Sequence, residues 1–326
     1  MKTVVYTCPF VPAEWIAAHG LRPSRIVPSP PAGAAEEVPS VGFCPYARAL
    51  VRHLCGEPGA EAAVFTTVCD QMRRGAEIVQ RRSSLPVFLM HVPTTWQTSA
   101  ARGLYLSELR RLGRFLVDLG GVAPSEARLT DTIRRFDAAR GALRKALGLV
   151  SARRFAELAA EFHRVGEPRF TPPTPQPMPL GVPVAVVGGP LLFQHFDFFD
   201  MVERAGGRVA LDATACGERA LPAPVDRRRL ARDPLGAVVE AYFDNIPDAF
   251  RRPNSALYEW LRGKCAERGV RGILFLHYVW CDTWHAEAQR VKESSDVPAL
   301  RIEATDSPAA DGPTASAIQS LLEAIR

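Results

Sequence analysis

Short apolar runs recur along this chain and alternate with stretches of helical spacing, and that alternation constrains the fold more than any other feature. Residues 3–7, 62–68, 86–92, 182–187, 208–213, 272–279 and 299–304 are rich in β-branched and aliphatic side chains, and none exceeds eight residues. They are apolar throughout rather than at every second position, which marks strands covered on both faces of a parallel sheet. Helical patterns over 45–54, 71–82, 198–205, 256–268 and 317–325 fall between them. Strand, helix and strand in repeated succession imply right-handed crossovers and an open, doubly wound sheet.

One region breaks the rhythm. From 100 to 163 no strand is expected, and apolar residues recur at helical spacing, as in Leu104, Leu109, Leu112 and Leu116. A proline-rich stretch, Thr171-Pro172-Pro173-Thr174-Pro175, then reads as a stiff extended linker. The expected fold is therefore α/β, with two Rossmann-like doubly wound parallel-sheet domains. The first occupies 1–170 with an inserted helical segment near 100–165, the linker 171–181, and the second 182–326. At 326 residues the chain is long enough to bury two cores.

Composition narrows the function. With 47% hydrophobic and 23% charged residues the chain resembles an ordinary globular protein. No apolar run approaches the roughly 20 residues that span a bilayer. The amino-terminal apolar run stops at Cys8-Pro9, too early for a secretory signal. A cytoplasmic protein with no membrane partner is expected. The net charge of +5 gathers in 101–170, where Arg110, Arg111, Arg114, Arg134 and Arg135 form a solvated helical face or a seat for phosphates or an acidic partner. Lacking interleaved aromatics, that stretch does not suggest nucleic-acid binding.

Seven cysteines, an odd number, cannot all pair within the chain and are too scattered for a disulfide scaffold. Their placement is more informative than their count. Cys8, Cys69, Cys216 and Cys281 each follow an expected strand, and open parallel sheets bind ligands in the crevice beyond their strands' carboxyl ends. Cys44 lies where a loop enters a helix at Pro45, a position that lowers a thiol's pKa. Cys55 and Cys265 fall within or at the end of helical patterns and read as small buried hydrophobes. Without a C-x-x-C pair, neither a zinc ribbon nor a ferredoxin-like cluster is indicated. Single thiols converging from separate loops point to a thiolate metal site between two α/β domains, and thiolate-only ligation favours iron–sulfur.

The order of these segments resembles the 2-hydroxyacyl-CoA dehydratase / benzoyl-CoA reductase family, in the manner of the D-component of 2-hydroxyglutaryl-CoA dehydratase. Tyr6-Thr7-Cys8-Pro9 through Pro12-Ala13-Glu14 is similar to the family's opening motif, and Gly42-Phe43-Cys44-Pro45-Tyr46 to its first cluster-ligand motif. Val68-Cys69-Asp70 resembles the second, Trp280-Cys281-Asp282 the third, and Val297-Pro298-Ala299-Leu300 the closing strand. The resemblance implies one 4Fe-4S cluster in the interdomain cleft, held by Cys44, Cys69 and Cys281, with the fourth iron open. It implies as partners a related second dehydratase subunit in a heterodimer, an ATP-dependent iron–sulfur activator and an acyl-CoA substrate.

The implied chemistry is radical: one electron added to the thioester gives a ketyl radical anion, which expels a hydroxyl and acidifies an otherwise inert β-hydrogen. A benzoyl-CoA reductase-type subunit, or a cluster-bearing electron-transfer or scaffold subunit without catalysis of its own, is the alternative. Two departures matter. Where the family has Pro-Glu-Glu the chain has Pro12-Ala13-Glu14, so Glu14 alone carries over as a proton-handling candidate. Asn245-Ile246-Pro247-Asp248 lacks the cysteine of double-cubane relatives, which argues for a single cubane. His91, at the end of an expected strand on the same edge, is a candidate proton donor or a buried structural histidine. His277 reads as core, and His285, four residues past Cys281, is within reach of the site.

Overall fold

All seven expected runs form strands, and the described residues add an eighth that the pattern did not announce. The computed structural model describes residues 1–29, 41–56, 59–307 and 312–326. The first half contains β1 (Thr3–Tyr6), α1 (Ala13–Ala18), β2 (Arg22–Arg25), α2 (Pro45–Cys55), β3 (Ala62–Thr66), α3 (Asp70–Arg82) and β4 (Val87–Met90). Its sheet is parallel throughout, in the order β2-β1-β3-β4. β2 is Arg22-Pro23-Ser24-Arg25, which carries no apolar run. Proline is tolerated there because β2 lies at the sheet edge.

Three helices follow: α4 (Ser99–Asp118), α5 (Glu126–Arg144) and α6 (Ala152–Val165). Each begins at a hydroxyl cap, Thr98, Ser125 or Ser151, that accepts a first-turn N–H. α6 ends at Gly166, in the left-handed region at φ 68. A Cβ at Gly166 would overlap the Pro23 carbonyl, so this glycine lets α6 end against β2. Ser24 Oγ fixes the contact by donating to the Arg164 carbonyl at 2.8 Å.

The second half contains β5 (Val182–Gly188), α7 (Asp197–Arg204), β6 (Gly207–Ala213), α8 (Arg227–Arg232), α9 (Pro234–Val239), α10 (Ser255–Glu267), β7 (Gly272–Tyr278), α11 (Asp282–His285), α12 (Ala288–Ser294), β8 (Ala299–Ala304) and α13 (Gly312–Ala324). Its sheet order, β6-β5-β7-β8, repeats that of the first half. In both sheets the crossovers leave the first strand in opposite directions, which opens a crevice at the carboxyl ends of β1 and β3 and of β5 and β7.

The halves are not packed as separate balls. α8, α9 and the π-helical turn Glu240–Asp244 belong to the second half in sequence, yet Leu230, Val238 and Phe243 join the core that holds Val4, Tyr105, Leu109 and Ile133. Phe243 stacks on Tyr105 with centroids 4.7 Å apart. At the centre of this contact Glu14, 1% exposed, pairs with Arg140 and accepts a 2.5 Å hydrogen bond from Tyr242. Burial alone would lower the Arg140 pKa, and the Glu14 carboxylate more than reverses that.

Candidate metal centre

The carboxyl edges of the two sheets enclose a cavity of about 380 Å³. Cys8, Cys44 and Cys69 line it from the first half and Cys281 from the second. Each of the last three thiols stands at the head of a helix: Cys44 caps α2, Cys69 caps α3 and Cys281 caps α11. Pro45 suits the first position of α2, and Asp70 and the Arg81-Arg82 pair suit the two ends of the α3 dipole. None of the sulfurs makes a regular capping bond. They do face first-turn amides, of Tyr46 and Ala47 at Cys44, of Gln71 and Met72 at Cys69, and of Trp284 at Cys281, all of which favour thiolate.

The thiols are crowded. Cys44 and Cys281 are in hydrogen-bond contact, which lowers the Cys44 pKa and drives that of Cys281 well above the ordinary thiol value. Burial pushes Cys69 up to about 12, and the neighbouring Cys281 adds to this. Only one of three such groups can ionise cheaply unless a positive centre sits among them. A soft cationic group bound by all three thiolates removes that conflict, so the donor set fits an iron–sulfur cluster.

The surrounding loops keep the space open. Gly188 ends β5, where a Cβ would overlap the Leu276 carbonyl of the neighbouring strand, and Gly189 follows in the cavity lining, where a Cβ would overlap the Trp284 ring. Arg219, fully buried, gathers the second half's loop ends by donating to Ala213, Pro247 and Gly188 carbonyls and to Asp248 at 2.6 Å. Arg25 spans the two halves, donating to the carbonyls of Thr7 at 2.9 Å and Ala215 at 2.7 Å. Trp280 adopts φ 64, rare for a bulky residue, as the chain turns from β7 into α11 and presents Cys281.

The remaining sequence candidates lie around this centre rather than in it. Cys8 lines the cavity, with burial pushing its pKa up to about 11. Cys216 faces a small neighbouring void, its sulfur 3.8 Å from the Leu191 carbonyl and its pKa likewise about 11 through burial. Cys55 and Cys265, expected to be buried, are half-buried at the end of α2 and within α10. Glu14 is sealed in its pairing with Arg140 and Tyr242 and is not among the cavity's lining residues. His91 also lies outside the lining and is exposed; its Nδ1 meets Thr67 Oγ1 at 3.1 Å, and Thr67 does line the cavity. His277 is buried core, as expected, and touches the cavity.

Sequence reasoning missed Asp248, Phe250 and Arg252, which reach the cavity from an irregular segment. Pro247-Asp248 signals a turn, and Asp248 accepts from the Phe250 N–H at 3.2 Å, but nothing in the pattern carries that turn to the cavity. It also missed Tyr278, whose hydroxyl accepts from Leu192 N–H at 2.8 Å and donates to His195 Nδ1 at 2.6 Å.

A family model described as 2-hydroxyglutaryl-CoA dehydratase, D-component, matches residues 8–325. The chain belongs to that family. No curated protein gives a match. The matched span takes in β2 to β8 and every cysteine that lines the cavity, and begins just after β1. As a dehydratase component the chain is one part of a larger enzyme. Among the described residues no helix is long and apolar enough to cross a membrane.

Proposed function

We propose that this D-component is the iron–sulfur subunit of a 2-hydroxyacyl-CoA dehydratase-type enzyme. In this reading Cys44, Cys69 and Cys281 hold one four-iron, four-sulfide cubane whose fourth iron is open to an acyl-CoA thioester. The observation that carries it is the meeting of three thiols, drawn from two sheets and set at three helix heads, in a single cavity with space beside them. When bound, such a cluster supplies a Lewis-acidic iron and a one-electron couple.

The chain's own residues do the rest. Phe10, Phe250, Leu276 and Trp284 line the cavity with apolar surface and limit access of water. Gly189, in the lining with no side chain of its own, leaves the Trp284 ring its place beside the thiols. Arg73 and Arg252, also in the lining, offer cationic groups to the phosphates of an anionic thioester. The partners in this reading are a related second subunit and an ATP-driven iron–sulfur activator that delivers the electron in the cytoplasm. A pure electron-relay role, or benzoyl-CoA reductase-type chemistry, is the competing reading. Apolar side chains beside the thiols, with Arg73 and Arg252 in the same lining, favour a subunit that holds substrate over a relay.

Anaerobically purified protein should be brown, with about four irons and four sulfides per chain. Colourless protein that takes up a single zinc on reconstitution would rule the cluster out. Equilibrium binding of an acyl-CoA to the brown protein separates the relay reading from the two substrate-binding ones, since a relay subunit would not bind it.

A further inference from the structure

Beside the thiol cavity lies a second group of ligating side chains. His277 on β7 and Glu303 on β8 are register partners in the parallel pair. His285 ends α11, the short helix that Cys281 caps. One ligating atom from each of these three residues lies within 4.8 Å of the others. The two imidazoles stand edge to face with centroids 5.3 Å apart.

Hydrogen bonding fixes which nitrogens carry lone pairs. His277 Nδ1 lies 3.2 Å from the Tyr278 carbonyl, so it carries the proton and donates. Its Nε2 lone pair accepts from Arg301 Nε at 2.8 Å. Arg301 Nη2 also meets His285 Nδ1 at 3.2 Å and lies 3.6 Å from Glu303 Oε2. Two imidazole lone pairs and a carboxylate therefore converge on one positive charge. Burial keeps the His277 pKa below its ordinary value, so protons compete little for that lone pair.

We propose that His277, His285 and Glu303 form a site for a divalent, zinc-type metal ion, which the Arg301 guanidinium occupies as an exchangeable plug. Two nitrogens and one carboxylate oxygen suit zinc and its borderline neighbours, whereas magnesium and calcium prefer all-oxygen shells. The bond from His277 Nδ1 to a backbone carbonyl is the kind that orients a metal-ligating histidine. Arg301, with a side chain 48% exposed, can withdraw into solvent. Ligand bonds of about 2.0–2.1 Å in a tetrahedral site put the ligand atoms about 3.3 Å apart. Closing to that spacing requires movement only of His285 and Glu303, both exposed, toward the buried His277. A water completes the fourth position. The ion would join β7, β8 and α11, and so stiffen the turn that presents Cys281 without touching a thiol.

The test is zinc titration of the full-length, anaerobically purified chain, read by elemental analysis and by X-ray absorption at the zinc edge. The expected result is one zinc per chain with nitrogen and oxygen neighbours at about 2.0–2.1 Å and no sulfur near 2.3 Å. Glu303→Gln and His285→Ala each remove a direct ligand and should weaken binding by at least the roughly 10–100-fold that loss of an outer-shell partner costs, with unchanged circular dichroism and iron content. Arg301→Gln should tighten it by about tenfold, the scale of one lost hydrogen bond to the competitor. Sulfur in the zinc shell would place the ion on the cysteines and overturn the proposal. So would absence of uptake by both wild type and Arg301→Gln, or weaker binding after Arg301→Gln. Iron and sulfide content, measured on the same samples, reports on the cluster separately.

Discussion

The two halves share a strand order but differ in how each covers its sheet. In the first, strands of four, four, five and four residues make a small sheet that borrows α8, α9 and Phe243 from later in the chain to complete its core. In the second, strands of seven, seven, seven and six residues are covered mainly by helices of their own half, with α6 of the first half reaching into their core through Ala156. The short sheet nevertheless supplies two of the three thiols proposed as ligands, and the long one supplies the third. A small sheet clamped by borrowed helices can therefore hold functional groups as firmly as a large one, provided the clamp is buried.

The largest expected effect tests whether the halves contribute jointly to one centre. Replacing Cys44, Cys69 or Cys281 singly by Ala should remove most of the iron, and Cys281→Ala should be as damaging as either first-half variant. Cys55→Ala and Cys265→Ala, each half-buried on a helix, should retain it. Iron retained in Cys281→Ala alone would confine the centre to the first half.

Next in size is the buried clamp. Glu14→Gln leaves Arg140 buried without its counter-ion and weakens the bond from Tyr242. Breaking a buried pair in this way costs about 3–5 kcal/mol. Urea denaturation should show that loss, with iron per folded chain unchanged. A drop in iron at unchanged stability would instead place Glu14 in the chemistry.

These contrasts also explain what the sequence disclosed. β1, β3, β5, β6 and β7 are buried on both faces and so nearly continuously apolar, whereas the edge strands β4 and β8 keep one face partly exposed yet hold enough apolar residues to be read. Seven of the eight strands among the described residues were therefore legible, and the cysteines following them could be placed on one edge. β2 could not, because Arg22, Pro23 and Arg25 carry no such pattern, and its pairing depends on β1 and on Gly166 admitting α6. The clamp was hidden for a related reason: Glu14 reads as a first-turn carboxylate, and its partners Arg140 and Tyr242 are 126 and 228 residues away in the chain. Asp248, Phe250 and Arg252 reach the cavity through tertiary packing alone, and Arg301 gives no sign in sequence that it bridges two histidines.

A titration in the second half sharpens the comparison further. Burial pushes the Asp212 pKa up to about 6 despite hydrogen bonds from Thr214. The native state thus holds its proton more tightly than the unfolded chain, so stability is lost as pH rises from about 4 through about 6. Above that range the ionised carboxylate costs about 3 kcal/mol by the size of the shift. Asp212→Asn should gain up to about 3 kcal/mol over wild type at neutral pH and little near pH 4. A gain of equal size at both pH values would mean that ionisation is not its source.

The smallest effect belongs to another tie between the halves. Arg153 on α6 of the first half reaches across to Asp197 and Asp200 on α7 of the second, and also pairs with Glu157 on its own helix. Geometrically this is a richer cluster than Glu14 with Arg140. The Arg153 side chain is 33% exposed, however, and Asp197 51%, so water already solvates these charges in the unfolded and folded states alike. Exposed pairs contribute about 0.2–1 kcal/mol and are screened by salt. Arg153→Ala should therefore cost no more than about 1 kcal/mol at low salt and less in high salt, against the several kcal/mol and weak salt dependence of Glu14→Gln. Parallel denaturation of both variants at two salt concentrations measures that difference. If Arg153→Ala proved as costly as Glu14→Gln and equally indifferent to salt, burial would not be what sets the strength of the clamp between the halves.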